Sequence, residues 1–499
     1  MKRKYLASVP VALCLWISSS LIVFMISCTP EIKTAEKPNI LFMFTDDQRA
    51  DAIGCSGNTY IRTPNIDKLA AEGVRFTNNY IMGGSVPAVC APSRAMLMSG
   101  KNLFHIYKNI DLDGITTMPQ YFKLHGYVTF GTGKWHNGGA SFERSFDRGE
   151  NVFLGGMCDH FKVPCRELNE NKKLGPPVSK GYSTDVFTDA VLHFIRDYAG
   201  ENHQQPFFAY VAFTAPHDPR SPREDYIGKY SPGAIPVPGN FMEYHPFAFD
   251  DMAIRDEMLA PWPRNPEVIQ ESIADYYSMI ALVDEKIGEI VSALKQYGLF
   301  DNTIIVFSSD NGLSIGSHGL MGKQNLYEES IRVPLLISGP GIPVNSQSQA
   351  YTYLFDLFPT LCGLTGLPVP AGVDGKDISS VLNGETRNVR NSVFTAYRNT
   401  ARAIRTGEWK LIRYPDRDYT QLFNLEKDPL EINSLAGLPE NKDKIEVMTE
   451  ALKKWQEETG DTVRLTADKI LPLQYDPTKF ERTPDQFQPE YTLRKYFNK

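Results

Sequence analysis

The sequence predicts an α/β fold in which helices flank a large, mainly parallel sheet and a smaller antiparallel α+β subdomain follows. Continuous apolar runs at residues 39–44, 206–213 and 303–307 are typical of strands buried on both faces of a sheet. Residues 272–296 precede the last run and carry apolar side chains at helical spacing. Strands that alternate with helices indicate parallel pairing, because a parallel connection needs a crossover segment.

The C-terminal subdomain is predicted from a change of pattern beyond residue 388. Four short strand-like runs and then a helix follow there, at residues 393–397, 402–405, 409–414, 421–424 and 441–459. Strands so close together favour antiparallel hairpins. The segment from residue 462 onward is rich in Pro, Gln and aromatic residues, and we expect it to lie on the surface.

Polar residues follow the predicted strands of the large sheet. Asp46 and Asp47 follow the first run, Asp310 and Asn311 follow the third, and His217 stands just beyond the second. The carboxyl ends of parallel strands meet at one edge, where open α/β sheets place their sites. We therefore expect a functional site at this edge, although Asp-Asp and Asp-Asn-Gly are also common turn sequences.

Composition and charge narrow the class of protein. The chain has 499 residues, of which 42% are hydrophobic and 22% charged, as in globular proteins that fold around a core. A net charge of −7 argues against a general nucleic-acid binder, which would carry basic stripes. An anionic small substrate stays compatible, because a few local cations can make a positive pocket in an acidic protein.

The N-terminus has the pattern of a bacterial export signal. Basic residues at 2–4 precede an apolar run at 9–26, and the tetrapeptide M-I-S-C that ends at Cys28 is like a lipobox. We expect a lipoprotein signal peptide at 1–27, lipidation of Cys28 and a tether at 28–38. The protein would then be exported and lipid-anchored, facing the periplasm or on the outer membrane of a diderm bacterium. An uncleaved membrane anchor is the alternative, because the run is nearly long enough to span a bilayer.

Seven cysteines fall into different roles. Cys14 belongs to the predicted signal peptide and Cys28 to the lipid site. Cys158 and Cys165 are close enough in sequence to form a disulfide in an oxidising compartment, but proximity alone does not decide it.

The run that begins at Cys90 carries the most specific motif of the chain. Cys90 and Arg94 bracket the pentapeptide C-A-P-S-R, and M-L-M-S-G follows soon after. A buried cysteine beside a Pro-Ser turn is the plainer interpretation. The motif resembles the signature of type I sulfatases, in which this cysteine is oxidised to Cα-formylglycine and becomes the nucleophile. The resemblance implies a formylglycine-generating (sulfatase-maturating) enzyme as a partner and Arg94 as a ligand of the formylglycine hydrate and the sulfate.

Three later segments are similar to the same family, in the family's order. Residues 126–136 resemble the second signature, which implies that Lys134 contacts the sulfate and that His136 takes a proton when sulfate is released. His217 matches the histidine that protonates the leaving oxygen, and residues 319–328 match the segment whose lysine, here Lys323, binds a sulfate oxygen.

The resemblance also implies a metal site and an alkaline-phosphatase-like fold. Asp46, Asp47, Asp310 and Asn311 match the family's ligands, with residue 90 beside them. Oxygen ligands of this kind suit Ca²⁺, with Mg²⁺ as the alternative, and do not suit zinc. The catalytic domain would span 39–387 and the C-terminal subdomain and tail 388–499.

The expected function is hydrolysis of a sulfate ester of a carbohydrate, a hexose or N-acetylhexosamine sulfate in a glycan. A uronate or iduronate 2-O-sulfate of glycosaminoglycan fragments is the first alternative. A phosphatase or phosphonate hydrolase of the same superfamily, and a non-catalytic glycan-binding lipoprotein, are remote ones. The sugar, the sulfated position, exo or endo action and the oligomeric state are not predicted.

Candidate residues for sugar binding lie mainly in two long irregular stretches, 155–183 and 216–266. Irregular segments of this length are often functional. The candidates are Asp159, His160, Asp218 and Arg220 in those stretches, and Arg398 in the C-terminal subdomain, with Arg402 considered beside it. Each is also explained as a charge of a solvated loop.

Overall fold

The computed structural model describes residues 37–201 and 204–497, and within them the chain forms fifteen strands and eleven α-helices. The strands are β1 Asn39–Thr45, β2 Gly73–Tyr80, β3 Gly83–Gly84, β4 Val128–Lys134, β5 Arg148–Phe153, β6 Pro164–Cys165, β7 Val178–Ser179, β8 Phe207–Ala212, β9 Thr303–Ser309, β10 Leu335–Ser338, β11 Ser346–Tyr353, β12 Ser392–Tyr397, β13 Ala401–Thr406, β14 Trp409–Tyr414 and β15 Tyr419–Asn424. The helices are α1 Pro64–Ala71, α2 Cys90–Ser99, α3 Met118–Leu124, α4 Gly139–Ser145, α5 Ser183–Gly200, α6 Pro266–Gln296, α7 Glu328–Ile331, α8 Leu357–Leu364, α9 Ser379–Leu382, α10 Lys442–Thr459 and α11 Glu490–Phe497.

The large sheet has eight strands in the order β11-β2-β10-β9-β1-β8-β4-β5. Its pairs are parallel except those that β10 makes with β2 and β9. The predicted mainly parallel sheet is therefore confirmed. β1 lies at its centre, with Phe42 opposite Tyr210 on one side and Val306 on the other.

Both faces of the sheet are covered at its centre, which explains why β1, β8 and β9 are buried at every position. Leu41 and Met43 point to the face where α1, α5 and α6 pack, and Phe42 points to the face of α2, α3 and α8. Successive side chains of a strand point to opposite faces, so a strand between two helical layers needs apolar residues at both. Burial of each such side chain contributes about 1.5–3 kcal/mol.

The helix α6 begins six residues before the predicted start at residue 272, at Pro266. The side chain of Asn265 accepts hydrogen bonds from the backbone N–H groups of Glu267 and Val268, and proline stands at the first helical position. This capping satisfies N–H groups that the first turn leaves unpaired. The first turn carries few core residues, so apolar spacing did not reveal it.

The second sheet has five strands in the order β15-β14-β13-β12-β3, and it forms the predicted antiparallel part of the C-terminal subdomain. Its outermost strand, β3, comes from the segment just before Cys90 and pairs parallel with β12. Gly83 has a φ of 105°, and a Cβ there would lie 1.9 Å from the carbonyl oxygen of Ala396. Only glycine permits this approach. The pairing of β3 with β12 attaches the C-terminal subdomain to the segment just before Cys90.

The tail beyond residue 462 lies on the surface as expected, but it also returns to the large α/β part. Arg482 donates to the backbone carbonyls of Met258 and Leu259. In α11, Lys495 and the hydroxyl of Tyr491 bind the buried carboxylate of Asp275 on α6, at 2.8 and 3.1 Å. The tail therefore packs against the irregular stretch 216–266 and against α6.

Two further observations concern the cysteines and the membrane. Cys158 and Cys165 are both buried free thiols, and no disulfide joins them in the described part of the chain. Among residues 37–201 and 204–497, none of the helices has the length and apolar character that crossing a bilayer requires. The predicted signal peptide, Cys14, Cys28 and nearly all of the tether lie outside the described residues.

Candidate active site

The predicted site residues lie at the carboxyl edge of the large sheet. Asp46 and Asp47 follow β1, Asp310 and Asn311 follow β9, and Lys134 is the last residue of β4. Because these strands are parallel neighbours or near neighbours, their ends converge. Three further residues join them from other segments, namely Cys90 at the start of α2, His217 after β8 and Lys323 after β9.

Three carboxylates form the acidic centre of the site. Each of Asp46, Asp47 and Asp310 offers an oxygen within 4.8 Å of the others, and none is more than 2% exposed. Burial, and then the charge of Asp310, raise the pKa of Asp46 well above its usual value. Like charges held so close in a dry setting are costly unless cations neutralise them.

The donor atoms at this centre fit a hard divalent cation. Within the described residues, Oδ1 of Asp46 and Oδ1 of Asn311 accept no hydrogen bond, although both are buried. The amide of Asn311 donates to Oδ1 of Asp47 at 2.7 Å, which holds the amide oxygen of Asn311 at the same cluster. Carboxylate and amide oxygens are the ligands that Ca²⁺ and Mg²⁺ prefer.

Three buried cations surround the carboxylates. Nζ of Lys134 lies 2.5 Å from Oδ2 of Asp46, and Nζ of Lys323 lies 2.6 Å from Oδ1 of Asp47. Nε of Arg94 donates to Oδ2 of Asp310 at 2.8 Å. Burial, the largest influence, lowers the pKa of each lysine, but the nearby negative groups, the paired aspartate first among them, together raise the pKa above the ordinary value, so both ammonium groups stay charged. Three positive and three negative side chains balance, and a divalent cation would leave the site positive and suited to an anion.

Cys90 lies against this charged cluster. Its Sγ is 3.5 Å from Nζ of Lys134 and 3.3 Å from Nδ1 of His136. Burial raises the pKa of the Cys90 thiol, and the charge of Lys134 partly offsets this rise. The residue opens the fully buried helix α2, whose N-terminal end carries a partial positive charge. A negative group bound to residue 90 would therefore be stabilised.

Two histidines face the same space with neutral rings. Burial and then Lys134 lower the pKa of His136 to about 2, and burial and then Lys323 lower the pKa of His217 well below its usual range. Nδ1 of His217 donates to the carbonyl of Asp218 at 2.6 Å. Its other nitrogen, Nε2, lies 3.7 Å from Asp47 and faces the acidic centre.

A cleft of about 1170 Å³ opens above these residues. Cys90, His136, His217 and Lys323 lie among the residues that line it. Cys90, both histidines and one lysine are therefore accessible from a single cavity, while Asp46 and Lys134 are fully buried and do not line it.

The residues predicted to bind the sugar differ in whether they line the cleft. Asp159 lines the cleft. His160 is buried between the hydroxyl of Ser183 and the carbonyl of His217, so it supports the His217 loop. Arg220 is buried, and Arg398 lies outside the lining, paired with Asp251.

Two of these charges are held in ion pairs. Burial raises the pKa of Asp218, but Arg255, which binds both of its oxygens, together with the neighbouring His217 and Arg220, lowers the pKa below its usual value. Arg402 is fully buried and donates to both oxygens of Asp461, at 2.6 and 2.9 Å. Neither residue is a solvated loop charge, and Arg402 has a structural explanation.

Some residues of the cleft escaped sequence reasoning. Arg255, Asp256, Gln324 and the tail segment 485–489 all line it. Gln324 directly follows Lys323 in the segment 319–328 that resembles a sulfatase motif. This neighbourhood was the one feature of the sequence that could have indicated its position in the cleft. Arg255 and the tail lie in stretches without strand or helix periodicity, and nothing local indicates that they return to the site.

Comparison with known proteins agrees with this geometry. Residues 38–367 match the family model named Sulfatase, and residues 316–458 match a second, named N-sulphoglucosamine sulphohydrolase, C-terminal. An N-acetylglucosamine-6-O-sulfatase of Bacteroides thetaiotaomicron is 28% identical, over 89% of this chain and 92% of that protein. An ulvan-active sulfatase of Formosa agariphila is 29% identical, over 88% of this chain and 86% of that protein.

A solved structure described as a complex with its substrate D-glucosamine-2-N,6-O-disulfate is also similar. It is 26% identical with a TM-score of 0.73, over 85% of this chain and 99% of that one. The family model alone covers more than half of the chain, and its match includes the acidic centre, Cys90, both histidines and Lys323. The chain therefore belongs to the sulfatase family, whose members hydrolyse sulfate esters.

Proposed function

We propose that this enzyme releases sulfate from a hexose or N-acetylhexosamine sulfate in a glycan, using a formylglycine made from Cys90 and one divalent cation. The observation that carries the proposal is the convergence of Cys90, His136, His217 and Lys323 at one cleft above three buried carboxylates. Relatives named for N-acetylglucosamine 6-O-sulfate and for ulvan support a carbohydrate substrate.

Asp46, Asp47, Asp310 and Asn311 would hold the cation, which we propose to be Ca²⁺. When bound, the cation would neutralise charge on sulfate oxygens. The hydrated formylglycine would supply a hydroxyl nucleophile that, unlike a thiol, can release sulfate afterwards by returning to the aldehyde. A maturating enzyme must therefore act on Cys90 before the protein is active.

The side chains of this chain divide the remaining work between binding and proton transfer. Lys134 and Lys323 are charged and buried, so they bind sulfate oxygens without the screening that water would give. Arg94 offers a planar fork beside Asp310, which suits the oxygens of the sulfate or of residue 90.

Proton transfer falls to the two neutral histidines. The Asp218 carbonyl fixes the proton of the neutral His217 ring on Nδ1, so Nε2 is the free acceptor. To act as the acid, His217 would first take up a second proton from solvent on Nε2. The imidazolium would then give that proton to the leaving alcohol oxygen and return to the neutral ring. Nδ1 of His136 is 3.3 Å from Sγ of Cys90, and it would accept a proton from residue 90 when sulfate leaves.

The test is a panel of singly sulfated monosaccharides and disaccharides, with sulfated uronates included, assayed for released sulfate. We expect turnover of at least one hexose or hexosamine sulfate. Cys90→Ala should fold and show no turnover, because no aldehyde can form. Mass spectrometry of active protein should show the Cys90 peptide lighter by the change from thiol to aldehyde.

Three outcomes would contradict the proposal. Unmodified cysteine in fully active enzyme would exclude formylglycine. A preference for uronate 2-O-sulfates would move the substrate to the alternative class. Faster hydrolysis of phosphate or phosphonate esters than of any sulfate ester would place the enzyme with the phosphatases of the superfamily.

A further inference from the structure

The cleft is larger than a single sulfated sugar needs. Its volume of about 1170 Å³ exceeds the range of roughly 300–1,000 Å³ that is typical of small-molecule sites. The catalytic groups occupy only its floor. Part of the cleft is therefore available to whatever is joined to the sulfated sugar.

One wall of this extra space is built by the tail. Residues 485–489 line the cleft, and they form a compact turn. Oδ1 of Asp485 accepts from the backbone N–H of Phe487 at 2.7 Å, and Oδ2 accepts from the side-chain amide of Gln488 at 3.2 Å. The turn thus orients Phe487 and Gln488 through a single carboxylate.

The turn is fixed relative to the catalytic groups. Arg255 reaches Asp485 at 3.4 Å and also binds both oxygens of Asp218, the residue next to His217. On the other side of the turn, the hydroxyls of Thr492 and Ser221 are 3.1 Å apart. Because His217 serves the leaving alcohol in the proposed mechanism, the wall stands on the side of the cleft where the rest of the glycan must lie.

Gln488 offers an unused acceptor in this wall. The residue is only 7% exposed, and its Oε1 is buried without a hydrogen-bond partner among the described residues. A buried acceptor without a partner costs free energy that a ligand hydroxyl can recover. A sugar hydroxyl is a donor of that kind.

Phe487 offers the complementary apolar surface. Its side chain is 43% exposed although it lines the cleft, and it makes no ring-to-ring or cation–π contact within residues 37–201 and 204–497. The C–H face of a pyranose ring packs well on an aromatic ring, while the sugar hydroxyls need polar neighbours. An exposed ring next to an unpaired amide oxygen meets both needs.

We propose that Phe487 and Gln488 form a subsite for the sugar unit attached to the sulfated one, so that the preferred substrate is an oligosaccharide of at least two units. This inference rests on the proposed function and extends it to a length of substrate. Under this proposal, residues of the tail determine whether the enzyme prefers short or long substrates.

The test compares a sulfated disaccharide with the monosaccharide that carries the same sulfate. Wild-type enzyme should have the higher kcat/KM on the disaccharide. Phe487→Ala should reduce this preference roughly tenfold, mainly through KM, because stacking on an aromatic ring contributes on that order. Phe487→Trp should keep the preference, and Gln488→Met should reduce it. Tyr60→Ala removes an aromatic side chain that is 49% exposed away from the cleft, and it should change neither rate.

The outcomes separate the two proposals. Absence of sulfate release from both sugars by wild-type enzyme would contradict the proposed function. Release from both with no preference for the disaccharide would overturn the subsite alone. Equal losses on the two sugars in Phe487→Ala would also overturn it, since the ring would then support the fold and not the second sugar.

Discussion

At the scale of single residues, the site depends on charges that are buried together. Lys134 and Lys323 stay protonated because Asp46 and Asp47 lie within 2.6 Å of their ammonium groups. Removing any one charge leaves its partner buried and unpaired, which costs several kcal/mol. Variants at this centre are therefore informative only when folding is measured beside activity.

The acid that serves the leaving group can be separated from the groups that bind sulfate. If His217 protonates the leaving oxygen, His217→Ala should slow a sugar sulfate by about 10²–10⁴-fold and nitrophenyl sulfate far less, because nitrophenolate departs without a proton. Lys323→Ala should slow both substrates about equally, since its partner is the sulfate itself. Steady-state kcat/KM values for both substrates make the comparison. Equal losses in His217→Ala would assign the residue to binding.

The metal site makes a second prediction at this scale. Asp310→Ala should lower bound divalent cation and turnover together, because it removes one of three carboxylates at the centre. Elemental analysis should find about one Ca²⁺ in the wild-type protein, with oxygen ligands only. Asp301→Ala, at an exposed aspartate just before β9, is the matched control and should change neither quantity. Stoichiometric zinc, or full activity after exhaustive chelation, would contradict the site.

The residues that sequence analysis found are those that stand in motifs or at strand ends. Cys90, Lys134 and Lys323 could be named because the segments that hold them resemble sulfatase signatures. Gln488 and Arg255 could not, because their position in the cleft depends on where an irregular segment returns in space. Arg402 was a candidate for sugar binding, but its charge is paired with Asp461 inside the fold.

At the scale of elements, strands were predicted more accurately than helix starts. Continuous apolar runs located β1, β8 and β9 to within two residues, because both faces of the sheet are buried. The start of α6 at Pro266 was missed, since capping by Asn265 and not apolar spacing determines it. Pairing of the short strand β3 with β12 depends on a close approach at Gly83 that no local pattern shows.

Arg402 on β13 forms a buried ion pair with Asp461, which lies just after α10. The contribution of this pair to stability can be tested by substitution. Arg402→Met should lower the free energy of unfolding by about 3 kcal/mol, because Asp461 would stay buried without its cation. Urea unfolding measures this change. Replacing Asp461 with leucine in the same chain should restore part of the loss.

The control is Arg464→Ala, which removes an exposed ion pair with Asp468 and should leave the unfolding midpoint unchanged. A fall in kcat/KM for Arg402→Met with no change in stability would return this residue to substrate recognition.

At the scale of the whole molecule, the sequence predicts attachment to a membrane through its first residues. Cys28→Ser should abolish lipid labelling and release the protein from the membrane fraction, because the predicted lipid would be joined through the thiol. Fractionation with metabolic lipid labelling measures both effects, and Cys55→Ser, at a half-buried cysteine, is the control. Retention of the Cys28→Ser protein in membranes would instead support an uncleaved N-terminal anchor.

The position of the tail has a consequence for the order in which the enzyme is completed. A chain is synthesised from its N-terminus, so β1 is made first although it needs β8 and β9 as neighbours. Residues 485–489 are made after the strands of both sheets. A nascent or C-terminally clipped chain can therefore contain every catalytic motif while one wall of its cleft is still missing. A translation stop or a protease cut before residue 485 would therefore spare every catalytic motif in the sequence and remove a wall of the cavity that those motifs share.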